Sequence, residues 1–138
     1  MKYDWKCLLV LIPVIICAVI IAMDKNEPEP LPISVQTETE RKNYLLSMGW
    51  EGKQIDSQKV VIPEIPDENY QLYYSMQQEQ HLPLANYMGN EAICYTYQLE
   101  NSDLYAEMLT VEGVLVGMQY YDPLQGITLD KDGKPFTG

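Results

Sequence analysis

The segment "CLLVLIPVIICAVIIAM", Cys7 to Met23, constrains this chain more than any other: 17 consecutive residues carry no charge. As a helix it reaches roughly 25 Å at ~1.5 Å per residue, close to the ~30 Å hydrocarbon core of a bilayer. Tyr3 and Trp5 are suited to the interface, Lys2 and Lys6 can snorkel to headgroups, and a proline such as Pro13 is tolerated in a membrane helix. A cleaved signal peptide expects a shorter apolar region and a small-x-small exit. At the best exit, Ala22, Ile20 stands where a small residue belongs. A lipoprotein signal fails for a similar reason, since Ile16 precedes Cys17. The segment therefore reads as an uncleaved anchor. Lys2, Lys6 and the amino terminus precede it against only Asp4, and Asp24, Lys25, Glu27 and Glu29 follow, so the positive-inside rule puts the N-terminus in the cytoplasm and the rest outside.

Beyond the anchor the chain is acidic. Its 20 Asp and Glu less Asp4, against its 9 Lys and Arg less Lys2 and Lys6, leave a formal charge of −12 from residue 24 onward. Nucleic acid and anionic lipid both need clustered cations on the protein, so neither is an expected partner of this part. Solubility is the ordinary reason for such a charge, with a cationic partner second. Cys7 and Cys17 lie in the apolar run, which leaves Cys94 alone outside. No intramolecular disulfide can form there, and a packed core has to hold the domain. Cys7, near the cytoplasmic face, is in reach of acylation, though a membrane cysteine is usually only apolar.

Composition along the chain gives four parts: residues 1–6 in the cytoplasm, 7–23 in the membrane, 24–36 a Pro- and acid-rich stalk, and 37–138 an extracytoplasmic domain. "TETE" offers Thr37 as an N-cap with Glu40 three residues on, a capping box. The spacing of Tyr44, Leu45 and Met48 predicts a helix over 38–48 that Gly49 ends. "KVVIP" predicts a short strand. A second helix over about 67–79 starts near Asp67 and carries Tyr70, Tyr73, Tyr74 and Gln77 at helical spacing. In "AICYTYQLE" Ile93, Tyr95, Tyr97 and Leu99 alternate onto one face and Cys94, Thr96, Gln98 and Glu100 onto the other. Strands over 104–111 and 114–121 flank a two-residue turn at Glu112-Gly113, with Val111 opposite Val114 and Leu109 opposite Val116. The fold expected is α+β: two helices packed on one face of a small antiparallel sheet, in the order helix, strand, helix, three-strand meander, preceded by the N-terminal transmembrane helix.

Helix followed by Gly49-Trp50, then Ile62-Pro63, a Tyr- and Gln-bearing helix, Leu84 with Tyr87 and Gly89, Tyr95-x-Tyr97, and the hairpin with Gly113 and Gly117 occur in one order over residues 40–126. In that order and spacing the chain resembles the bacterial family catalogued as domain of unknown function 4830. The resemblance implies a short membrane-anchored or exported protein whose function is undefined, and carries no catalytic residues with it. His81 stands where that family usually has glycine, and Tyr74 where asparagine is common.

Each candidate chemistry has a plain counterpart. Cys94 with His81 would make a nucleophile and base if a nearby imidazolium stabilised the thiolate. A strand cysteine and an exposed turn histidine are the simpler reading. "DKDG", Asp130 to Gly133, begins like a calcium loop, but the chain stops before the bidentate acid such a loop needs. One histidine and one outside cysteine make no zinc site, and no metal or cofactor is expected. Glu64, Asp67 and Glu68 near a helix start are explained by the helix dipole. Eleven tyrosines against one phenylalanine are the unusual feature. Tyrosine suits binding surfaces for proteins, peptides and sugars. Tyr73, Tyr74, Tyr120 and Tyr121 are the candidate binding residues, with Tyr120-Tyr121 obliged to split between faces. The functional expectation is a non-catalytic module that binds a protein, a peptide or a wall component, anchored in lipid through residues 7–23. A structural protein that self-associates through a sheet edge is the alternative, and a cysteine-dependent hydrolase the third reading.

Overall fold

The computed structural model describes residues 31–130 and 132–135. The chain divides into two compact units, Met1–Leu31 and Pro32–Gly138, and every helix and strand among the described residues belongs to the second. No described helix is long and apolar enough to cross a membrane. The expected span at 7–23 and most of the expected stalk lie outside the described residues.

The fold is α+β. Helix α1 (Glu38–Ser47) leads into strand β1 (Gly52–Val61), helix α2 (Glu68–Glu79), a 3-10 turn (Leu84–Tyr87), then β2 (Glu91–Leu99), β3 (Tyr105–Val111), β4 (Val114–Asp122) and β5 (Ile127–Leu129). All five strands form one antiparallel sheet in chain order. Strand β1 begins seven residues earlier than "KVVIP" suggested, because its first half, "GKQIDSQ", is polar and shows no apolar alternation. That is how an edge strand reads when neither face is well covered.

Both helices begin and end as their sequences dictate. Thr37 Oγ1 accepts from Glu40 N (3.2 Å), and Glu40 Oε2 accepts from the backbone N–H of Thr37 and of Gln36, completing the capping box. These bonds, with one from Ser34 Oγ, hold the Glu40 carboxyl below its ordinary range. At the other end Trp50 N reaches Leu45 O and Gly49 N reaches Leu46 O, a Schellman closure with Gly49 at φ 89°. Asp67 caps α2 by accepting from Tyr70 N (2.8 Å). The end of α2 repeats the Schellman pattern with Leu82 N to Gln77 O and His81 N to Gln78 O, but His81 holds the left-handed position at φ 60°. A Cβ is strained there, so His81→Gly should raise the stability of the domain by about 0.5–1 kcal/mol in urea unfolding. An unchanged or lower stability would contradict this account of the turn.

The two helices lie on opposite faces of the sheet, where the sequence suggested one face. Leu45 of α1 packs with Tyr97, Leu99, Met108, Leu115 and Met118. Tyr70, Tyr73 and Tyr74 of α2 pack with Leu109, Val111, Val116 and Cys94. Since side chains alternate along a strand, Ala106 and Met108 face α1 while Leu109 and Val111 face α2. The sheet therefore carries apolar residues on both sides, which polar-or-apolar alternation along one strand does not reveal.

The hairpin turn at Glu112-Gly113 is as expected, with φ of 49° and 78°, the signs a two-residue type I′ turn requires. Val111 pairs with Val114, but Leu109 pairs with Gly117 and not with Val116, because a bulge inserts Val116 between the rungs Thr110–Leu115 and Leu109–Gly117. The insertion shifts the phase of β4. Leu115 before it and Met118 and Tyr120 after it can then all face α1.

The second edge of β4 is sealed by three devices in turn. Residues Ile33 and Val35 bond Leu115 N and Gly113 O, so this stretch belongs to the domain and not to the stalk. Next, Gln77 of α2 gives Met118 a substitute peptide: its Oε1 accepts from Met118 N (2.8 Å) and its Nε2 donates to Met118 O (3.0 Å). Gln80 Nε2 adds a second bond to Met118 O. Strand β5 pairs with the remainder, Tyr120 to Asp122. Among the described residues nothing pairs with the outer edge of β1, which carries Lys53, Lys59 and a bulge at Ile55, all of which discourage strand addition.

Arg41 is the one buried cation of this core, 6% exposed among the described residues. Its guanidinium donates to Tyr97 Oη (3.1 Å), to the carbonyls of Val35 and Gln36 (3.1 Å each) and to Gln54 Oε1 (3.4 Å), and lies 3.7 Å from the centre of the Tyr95 ring. Its hydrogen-bond partners are neutral. The only ion pair among the described residues, Lys42 with Glu38, is exposed.

Candidate functional site

On the α2 side of the sheet, two neighbouring rungs run across the strands. One is Gln58, Cys94, Leu109, Gly117; the next is Asp56, Thr96, Glu107, Gln119. Helix α2 covers the first rung at its β4 end. It comes close because position 117 has no side chain: a Cβ there would meet the Tyr73 hydroxyl. Toward β2 the helix no longer covers the sheet, and a cleft of about 480 Å³ remains. Tyr70, Tyr73, Asn69 and Asp67 form its helical wall, Val60 and Val61 its rim, and Cys94, Leu109, Glu107 and Gln119 its floor. That volume lies in the range of small-ligand sites. A larger depression of about 620 Å³ around the turn at 98–103 is lined by polar side chains and Leu99. It has no aromatic wall and no convergent groups.

The rings of Tyr70 and Tyr73 are 5.5 Å apart and tilted by 57°. Glu107 is oriented by Gln119, whose Nε2 donates to Glu107 Oε2 at 2.7 Å. Burial, then the Glu107 and Asp56 carboxylates, push the Cys94 thiol up to about 11. Burial also raises Tyr70, and raises Tyr73 well above the ordinary phenol value, with Glu107 adding to the second. At neutral pH the cleft thus holds neutral phenols and a neutral thiol. Among the described residues no lysine, arginine or histidine lines it.

The first turn of α2 borders Cys94, an arrangement that by itself favours thiolate, but burial and two carboxylates outweigh it. His81 sits past the other end of α2, eight residues or about 12 Å of helix rise beyond Tyr73, and does not line the cleft. Thiol and imidazole are not brought together. At pH 8 alkylation of Cys94, followed by mapping the modified peptide, should run roughly a hundredfold slower than that of a free thiol and quicken only toward pH 11. Glu107→Gln should speed it. A rate matching free cysteine would contradict this environment.

Of the four tyrosines singled out by sequence, Tyr73 alone lines the cleft. Tyr74 is half-buried on the same helix, its hydroxyl accepting from Gln78 Nε2. Tyr120 is 1% exposed and belongs to the α1-side core, its ring 6.1 Å from Trp50 and its hydroxyl on Met48 Sδ, so it offers no surface. Burial pushes its phenol to about 12. Tyr121 is 37% exposed, faces away from α1, and pairs across β3 with Tyr105 one rung beyond Glu107. Sequence reasoning did not assign Tyr70, Glu107, Leu109 and Gln119 to a site. The expectation that both helices cover one face left the Cys94 face of the sheet without a helix over it. The signal available was α2 itself, whose tyrosine stripe needs a second apolar face to pack on. Asp130 takes the backbone N–H groups of Asp132 and Lys134 on one carboxylate oxygen, an ordinary Asx-type turn.

No family model, no curated protein and no solved structure matches this chain.

Proposed function

We propose that this chain is a single-pass, membrane-anchored, extracytoplasmic domain that binds a protein, peptide or wall component without catalysis, and that the cleft between α2 and the sheet is where it binds. The cleft carries the reading: two tyrosine rings, the apolar side chains of Val60 and Leu109 and one oriented carboxylate converge there. Against the hydrolase reading, the only thiol among the described residues is held protonated and its would-be base lies at the far end of a helix. Against self-association through the sheet edge, the open edge of β1 carries two lysines and a bulge. The anchor rests on the uncharged run Cys7–Met23 and its flanking charges.

A photo-crosslinking amino acid at Asn69, on the cleft wall, should yield an adduct in cells that disappears with Tyr70→Ala. The same label at exposed Ser75 should yield none. Adducts at both positions, or at neither, would overturn the assignment of the cleft. Alkaline carbonate should leave the chain in the membrane pellet, and its release into the wash would overturn the anchor.

A further inference from the structure

We propose that the cleft takes an organic ammonium group on a short apolar stem, supplied by the lysine side chain of a peptide. This rests on the cleft being the binding site and specifies what enters it. Three features of the cleft ask for such a ligand. The Tyr70 and Tyr73 rings, 5.5 Å apart and inclined to each other, line the cleft, and an aromatic face attracts a cation within about 6 Å. Val60 and Leu109 give the stem an apolar bed. Glu107 supplies the countercharge: Gln119 holds one of its oxygens, which fixes the carboxylate while leaving the second oxygen to a ligand.

Charge complementarity settles the sign of the ligand. Among the described residues Asp67 and Glu107 line the cleft and no cationic residue does. Lys53, on the same side of the sheet but beyond Asp56, lines the polar depression and not this cleft. Residues 24–138 carry a formal charge of −12, so the approach of a basic peptide is favoured at long range. Burial is the main cause of the raised Cys94 thiol, and Glu107 and Asp56 add to it from the floor side. An anionic ligand would meet two carboxylates here, and a neutral apolar one would leave Glu107 partly desolvated with nothing in return. A volume of about 480 Å³ exceeds what one side chain fills and leaves room for the flanking backbone.

The test is a titration of the full chain, held in non-ionic detergent, with acetyl-Ala-Lys-Ala-amide and with its norleucine counterpart, which keeps the stem and deletes the ammonium. Lysine peptide should bind at least tenfold more tightly. Glu107→Gln, with thermal unfolding to confirm that it stays folded, should weaken the lysine peptide about tenfold and leave the norleucine peptide unaffected. Asp103→Asn, an equal loss of charge at a remote turn, should change neither. Equal affinity for the two peptides would overturn the ammonium assignment while leaving the cleft itself to the crosslinking result. Equal weakening by Glu107→Gln and Asp103→Asn would reduce the effect to net charge and overturn the site. Butylammonium binding as tightly as the peptide would overturn the peptide as its source.

Discussion

Arg41→Ala should cost the domain about 3–5 kcal/mol in urea unfolding, the largest effect expected of any single substitution outside the apolar core. The guanidinium ties four pieces together: α1 that carries it, the stretch at Val35 and Gln36, Gln54 of β1, and Tyr95 and Tyr97 of β2. Removing it takes away the donor that the Val35 carbonyl accepts from, on a residue with no exposed surface. It also deletes a desolvated cation–π contact. Arg41→Lys should recover little, since a single ammonium cannot address two carbonyls, a phenol and an amide from one plane. A loss under about 1 kcal/mol for Arg41→Ala would mean that water replaces the guanidinium without penalty.

Gln77→Ala comes second, at about 2–4 kcal/mol. Gln77 is fully buried, and its amide imitates the strand that β5 is too short to provide. Alanine leaves Met118 N without its acceptor and opens a void beneath α2. Met118 O keeps its bond from Gln80, so the damage falls mainly on the donor. Hydrogen exchange separates this from a general loss of packing. The Met118 amide should lose protection well before those of Glu107 and Leu109 on β3. Uniform loss of protection across β3 and β4 would contradict the edge-sealing role.

Much of this architecture is written locally. Thr37 with Glu40, Asp67, Gly49 and Glu112-Gly113 each act within a few residues, and each does what its chemistry predicts. Alternation in β2 correctly divides Tyr97 from Cys94. The remainder depends on contacts far apart in sequence. Nothing local in "MQQEQ" shows that Gln77 will complete a strand 41 residues away. Arg41 sits in a polar helix of weak apolar pattern, and its burial follows from Tyr97, 56 residues on. Val116 becomes a bulge only because Leu115, Met118 and Tyr120 all need the α1 side. The cleft was illegible for the same reason. Its floor comes from strands β2, β3 and β4, its wall from α2, and only the choice of opposite faces for the two helices brings Tyr70 and Tyr73 over Glu107.

The site at the α2 cleft is tested most directly by NMR titration of the full chain in detergent with a library of small fragments that includes aromatic amines, aliphatic amines, acids and neutral compounds. Binders should move the resonances of Tyr70, Tyr73, Cys94 and Leu109, and amines should predominate among them. Shifts confined to the polar turn at 98–103 or to the outer edge of β1, or no binders at all, would contradict the account.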